Sequence, residues 1–146
     1  MSTVLTWLAD PLLRGTLLTL WLLPCAIQDR RTRHVSNWLT VPLFVLAWPV
    51  ALLLGNLPLT IATFVGVYVA FRWSGDGFGP ADGKIVVGLA AVAPLALVLG
   101  TAVQALVFVI CRFRGQQGAR LPGIPVYYMG AVIAALVSAG QRTLPW

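Results

Sequence analysis

Long apolar runs, broken by brief polar interruptions, set the rhythm of this chain. The first runs from about Pro11 to Gln28 and ends at a polar loop, Asp29 to Asn37. The second covers about Trp38 to Leu54. Gly55-Asn56-Leu57-Pro58 is a turn signal and opens a third run, about Leu59 to Trp73. Ser74 to Gly83 is the longest polar, glycine-rich stretch. After it come 27 residues without a charge, Ile85 to Cys111, then a basic loop from Arg112 to Gly123 and a last run, about Ile124 to Gly140. A bilayer crossing takes about 20 apolar residues, so each isolated run predicts one membrane helix. No internal repeat, heptad or low-complexity tract is visible.

The 27-residue run admits two foldings, and the placement of charge chooses between them. As one long tilted helix it would put the loops on either side of it, marked by Arg72 and by Arg112 to Arg120, on opposite faces of the membrane. As a hairpin turning near Ala93-Pro94 it puts both on the side of the Arg30–Arg33 loop. Lys and Arg are retained in cytoplasmic loops, and the hairpin gathers Arg30, Arg31, Arg33, Arg72, Lys84, Arg112, Arg114 and Arg120 there, leaving Arg14 and Arg142 outside. The expectation is an all-α polytopic membrane protein of about six segments, a single domain over residues 1–146, with both termini outside. The fourth segment, Asp82 to Val92, is then too short to cross about 30 Å of hydrocarbon. Its polar start must dip into the membrane, with Asp82 at or below the interface. The first segment has no basic n-region and Asp10-Pro11 precedes it, so it reads as a retained helix rather than a cleaved signal.

Composition agrees with this picture. Of 146 residues 59% are hydrophobic and 10% charged, and the mean hydropathy is +0.88. Fourteen charges cannot coat a soluble particle of this size, and so apolar a chain is not disordered. The formal net charge of +6 comes from short basic bursts at membrane boundaries, which argues against nucleic acid as a partner and for membrane lipid. Cys25 and Cys111 make neither a disulfide framework nor a zinc site. Trp38, Trp48, Trp73 and Trp146 read as interfacial belt residues.

The residues able to do chemistry are few. The acids are Asp10, Asp29, Asp76 and Asp82, and there is one histidine, His34. His34 sits among arginines in a loop, the wrong setting for a serine protease base, and reads as a loop cation. A lone histidine and scattered aspartates are poor metal ligands. That leaves a pair of aspartates. By itself Asp29 is explained as an anionic partner of the neighbouring arginines, and Asp82 as a helix N-terminal acid facing unpaired amides. Lys84, two residues past Asp82, falls on another helix face; it is either an interfacial anchor or a contact for an acidic residue of a substrate.

Taken together, two stretches resemble the prepilin peptidase family, aspartic intramembrane proteases that include the preflagellin peptidases. Its first motif is an aspartate followed six to eight residues later by Ile-Pro-Asn and a hydrophobic helix; here Asp29 is followed by Val35-Ser36-Asn37, so Asn37 matches and Ser36 replaces the proline. Its second, Gly-x-Gly-x-x-Asp-x-Lys, is matched in full by Gly77, Gly79, Asp82 and Lys84. Gly123-Ile124-Pro125 through Gly130 also looks like the family's final Ile-Pro-hydrophobic-Gly segment. The resemblance covers nearly the whole chain from Leu22 on. Larger members add a cytoplasmic insertion with paired Cys-x-x-Cys motifs and an N-methyltransferase activity; this chain looks like the short, peptidase-only form that accompanies tight-adherence or related pilus systems.

The resemblance implies an endopeptidase of a prokaryotic cytoplasmic (inner) membrane that removes the leader of type IV pilin-like precursors, with Asp29 and Asp82 catalytic and no cofactor or metal required. Two carboxyl groups sharing a site cannot both ionise cheaply, so such a pair holds one proton near neutral pH. Gly77, Gly79 and Gly83 would let a substrate strand approach the backbone and permit positive φ. Asp76 precedes the motif and reads as a bystander. The reading from another class is a small transporter or proton-relay channel using embedded aspartates; a relay needs acids near the midplane, whereas both of these sit at the predicted cytoplasmic end.

Overall fold

The computed structural model describes residues 9–74, 79–115 and 123–143. Among them the chain forms six helices, α1 Pro11–Thr32, α2 Asn37–Leu53, α3 Leu57–Ser74, α4 Pro80–Val92, α5 Pro94–Phe113 and α6 Gly123–Thr143. The expected all-α class holds, and so does the break in the long uncharged run. Ala93 lies between α4 and α5 with φ −145° and ψ 77°, and Pro94 begins the next helix because it has no N–H to continue the old one.

Local chemistry accounts for the helix ends. Asp10 caps α1, its carboxylate accepting from the Leu12 and Leu13 amides at 3.0 and 3.4 Å, with Pro11 in the first turn, where its missing N–H costs nothing. The chain leaves α1 through Arg33 in the left-handed region, φ 53°, its amide donating to the Asp29 carbonyl at 2.8 Å. Gly55, at φ +72°, makes the predicted turn between α2 and α3; a residue with a side chain would be strained there.

The helices pack in two groups. In one, α6 lies against both α1 and α5; in the other, α4 lies between α2 and α3, and it also touches α1, α5 and α6. Being apolar on every side, α4 goes to the centre: Gly83 and every residue from Ile85 to Ala91 are buried. The main core joins Leu18, Leu22 and Cys25 of α1 to Ile85 and Leu89 of α4 and Ile124 of α6. Where α5 crosses α6 there is no side chain between the backbones. A Cβ built on Gly130 would fall 2.5 Å from the Gly100 backbone nitrogen. Small residues at such crossings are how helices associate in lipid, where hydrophobicity drives nothing between them.

The outer surface is a second sign of membrane residence. Leu17, Leu20, Leu52, Val98, Leu106, Phe108 and Leu136 are all more than half exposed, far more apolar surface than a soluble monomer presents. Two helices, Pro94–Phe113 and Gly123–Gln141, are long and apolar enough to cross a bilayer, with mean hydropathies of 2.3 and 1.6; Asn37–Leu53 and Leu57–Trp73 are shorter apolar helices. This is a helical membrane protein.

α4 is the shortest of the six described helices. At about 1.5 Å per residue its 13 residues rise only about 19 Å, and polar side chains from other helices come to meet its far end. Asn56 Nδ2 donates to the Ala91 carbonyl at 3.0 Å, and Arg14 Nη1 to the Val92 carbonyl at 3.2 Å. These carbonyls have no partner within their own helix. Arg14 thus does more than snorkel, as its position in the sequence suggests; it caps α4. Trp48 also departs from the belt role, packing edge-on against Phe44 and Phe64 with ring centroids 6.0 and 5.6 Å away. Trp38 and Trp73 are each 87% exposed, in keeping with that role, and Trp146 lies outside the described residues.

Candidate functional site

Asp29 occupies the last turn of α1, and Asp82 the first turn of α4. They are 53 residues apart in sequence, yet Asp29 is close enough to act on Asp82 electrostatically. What brings them together is visible at a third element, the start of α6. A Cβ on Gly123 would stand 2.7 Å from Asp82 Oδ1 and 3.0 Å from its Cγ. The backbone N–H of the next residue, Ile124, faces the Asp29 carboxyl as a donor. Consecutive residues of α6 therefore face one acid each. Asp29 Oδ2 is buried and, among the described residues, accepts no hydrogen bond. Buried polar atoms are seldom left so in folded proteins, and functional sites supply many of the exceptions.

The supporting residues lie around this pair. Asn37, the first residue of α2, accepts a 2.8 Å hydrogen bond on Oδ1 from Lys84 Nζ, which ties the segment after Asp29 to the segment carrying Asp82. Lys84 turns away from Asp82, as its spacing requires. Gly79 precedes α4 as its N-cap at φ −78° and ψ 146°, and a Cβ there would meet Asp82 Oδ2 at 3.2 Å. Gly83 is buried inside α4. The positive φ expected of these glycines is not found at Gly79 or Gly83. The backbone torsion at Gly79 is one that any residue adopts, so what glycine supplies there is room for the carboxyl. Gly77 and Asp76 lie outside the described residues. Beside the site, Phe44, Phe64, Tyr68, Phe71, Gly83 and Lys84 are among the residues lining an apolar cavity of about 230 Å³.

Sequence reasoning passed over two features. Ser36, where the family motif has proline, caps α2, its Oγ accepting from the Trp38 amide at 3.3 Å. Ser before an apolar run is itself an N-cap signal. The second is the place of the start of α6 beside the acids, a segment noted only for its resemblance to the family's final motif. Gly123 and Pro125 do mark a helix start, but no local pattern announces that it packs on two acids from other helices. Of the residues set aside, His34 is exposed in its loop, its carbonyl accepting from Thr32 Oγ1 at 2.7 Å, and Asp10 is the cap of α1 at the opposite end of that helix from Asp29.

Residues 16–139 match the type IV leader peptidase family, a span that includes Asn37, both aspartates, Lys84 and the start of α6. No curated protein and no solved structure matches the chain.

Proposed function

We propose, from the premise that this chain belongs to the type IV leader peptidase family, that it is an aspartic endopeptidase acting through Asp29 and Asp82. It is a multi-pass protein of a prokaryotic inner membrane and removes the leader of pilin-like precursors at the cytoplasmic face. The observation that carries this reading is the convergence of the two carboxyls on the single turn Gly123-Ile124. The ionised member of the pair takes a proton from water, whose oxygen attacks the scissile carbonyl carbon. The protonated member gives its proton to the carbonyl oxygen. When the tetrahedral intermediate collapses, the acid that took water's proton gives it to the departing nitrogen as the C–N bond breaks, and a hydroxyl of the intermediate returns a proton to the other carboxylate, which restores the pair to one shared proton. A proton relay is the weaker reading, because both acids stand at one end of the bundle rather than along its length.

The test is co-expression with a leader-bearing pilin precursor. The expected result is a shortened product whose new N-terminus, read by sequencing, lies just before the apolar segment. An unprocessed precursor beside a well-accumulated enzyme would refute it. Topology is tested separately. Tags at both termini are expected to report outside, and tags after Arg31 or Gly118 inside; a cytoplasmic C-terminus would contradict the arrangement. Neither cysteine has a chemical role in this reading. Cys25 is fully buried, its Sγ 3.6 Å from the Trp21 carbonyl, and Cys111 is a partly buried free thiol in the last turn of α5. The Cys25→Ala/Cys111→Ala enzyme is expected to cleave at near wild-type rate per accumulated molecule, and loss of cleavage would give one of them a role.

A further inference from the structure

The carboxyl of Asp82 lies between two glycines. From one side a Cβ on Gly79 would reach its Oδ2 at 3.2 Å; from the other a Cβ on Gly123 would stand 2.7, 3.0 and 3.2 Å from Oδ1, Cγ and Oδ2. All three carboxyl atoms thus fall within 3.2 Å of the place where a residue other than glycine at position 123 would put its first side-chain atom. Neither glycine has a positive φ, so conformational freedom is not what these positions use. Gly123 is buried and begins α6, and its neighbour Ile124, only 1% exposed, is fixed in the core with its N–H toward Asp29. The start of α6 is therefore held in place by Ile124, and the one group free to yield is the end of the Asp82 side chain.

We propose that Gly123 is a positioning residue for the acid pair: the space its absent side chain leaves is where Asp82 must stand to share a site with Asp29. This rests on the aspartic-peptidase reading and deepens it, adding the start of the last helix to the two aspartate motifs. A methyl group at position 123 would not break the fold, because Asp82 is short and can turn about its own torsions. It would turn the carboxyl out of place. A misplacement of about 1 Å at a reacting group can cost about a hundredfold in rate, and substrate binding, which involves the rest of the surface, would be unaffected.

The experiment compares wild type, Gly123→Ala, Gly66→Ala, Asp29→Asn and Asp82→Asn, purified in detergent, on a pilin precursor. Gly66 is the control, since a Cβ there meets nothing within 4 Å. Gly123→Ala is expected to accumulate normally and to lose about tenfold to a hundredfold in kcat with little change in KM, while Gly66→Ala matches wild type. Wild-type kcat in Gly123→Ala, with both asparagine variants dead, would overturn the role of Gly123 and leave the peptidase reading standing. Normal cleavage by the asparagine variants would overturn both. A raised KM with kcat unchanged would also refute positioning. Should Gly123→Ala fail to accumulate, Gly123→Ala/Asp82→Ala removes the carboxyl that the methyl would strike. Recovery of the double variant supports the contact, and continued loss refutes it.

Discussion

Asp29→Asn and Asp82→Asn are each expected to abolish processing of a co-expressed pilin precursor while the protein still accumulates in the membrane. Asparagine keeps the size and can still form hydrogen bonds. It can neither take a proton from water nor deliver one as a carboxylic acid. General acid–base action contributes about 10²–10⁴-fold, and because the two acids act as one unit, removing either should remove most of what both do. Folding should survive, since the core around them is made by Leu22, Ile85, Leu89 and Ile124 rather than by the carboxyls. Asp10→Asn and Asp76→Asn change the same charge elsewhere and should retain most activity. The readout is the ratio of processed to unprocessed precursor at matched enzyme levels. Near wild-type processing by either dyad variant would end the aspartic-peptidase reading. Loss in Asp76→Asn with normal cleavage in Asp82→Asn would transfer the second acid to Asp76.

The second large effect concerns architecture. Gly130→Val is expected to deplete the protein from the membrane and to lower the thermal stability of what remains. A Cβ at this position lies 2.5 Å from the Gly100 nitrogen, 2.6 Å from its Cα and 2.9 Å from the Ala96 carbonyl oxygen. All three are backbone atoms, so no rotamer change relieves the contact and α5 must move off α6. Overpacking of this kind costs about 1–3 kcal/mol and occasionally more, and in lipid no hydrophobic term between the helices offsets it. Even Gly130→Ala should destabilise, although glycine to alanine inside a helix ordinarily gains up to about 1 kcal/mol. That reversal of sign is the diagnostic. Unchanged detergent stability in both variants would show that the helices do not approach so closely.

Much of the fold was legible because its punctuation is strong. Asn37, Gly55 and Pro94 stand at element boundaries, and the counting of arginines was enough to split Ile85 to Cys111 at the position where Ala93 breaks the helix. The predicted ends were off where a helix runs on past the apolar stretch. The first helix continues through Asp29 and Arg31 to Thr32, because polar helix-formers can extend a helix into water without burying anything. The acids and their neighbours Asn37 and Lys84 were legible as local spacings. The partners of Arg14, Trp48 and Gly123 were not. Arg14 reaches Val92, Trp48 reaches Phe64 beyond its own-helix neighbour Phe44, and Gly123 stands against Asp82, each on another helix; such contacts follow from packing, which leaves no periodic trace in one sequence.

The two polar contacts at the far end of α4 make that helix a ruler. Arg14 and Asn56 fix its last carbonyls, and Asp82 stands at the other end of the same rigid rod, so the depth and bearing of the carboxyl are measured from Val92. One residue more or less between Ile85 and Ala90 would carry Asp82 about 1.5 Å along the axis and swing it about 100° around it, off Gly123 and away from Asp29. A full extra turn would restore the bearing but overshoot by about 5.4 Å. The interior of α4 therefore admits no change of count, and the length of a buried apolar helix becomes a coordinate of the acid it carries.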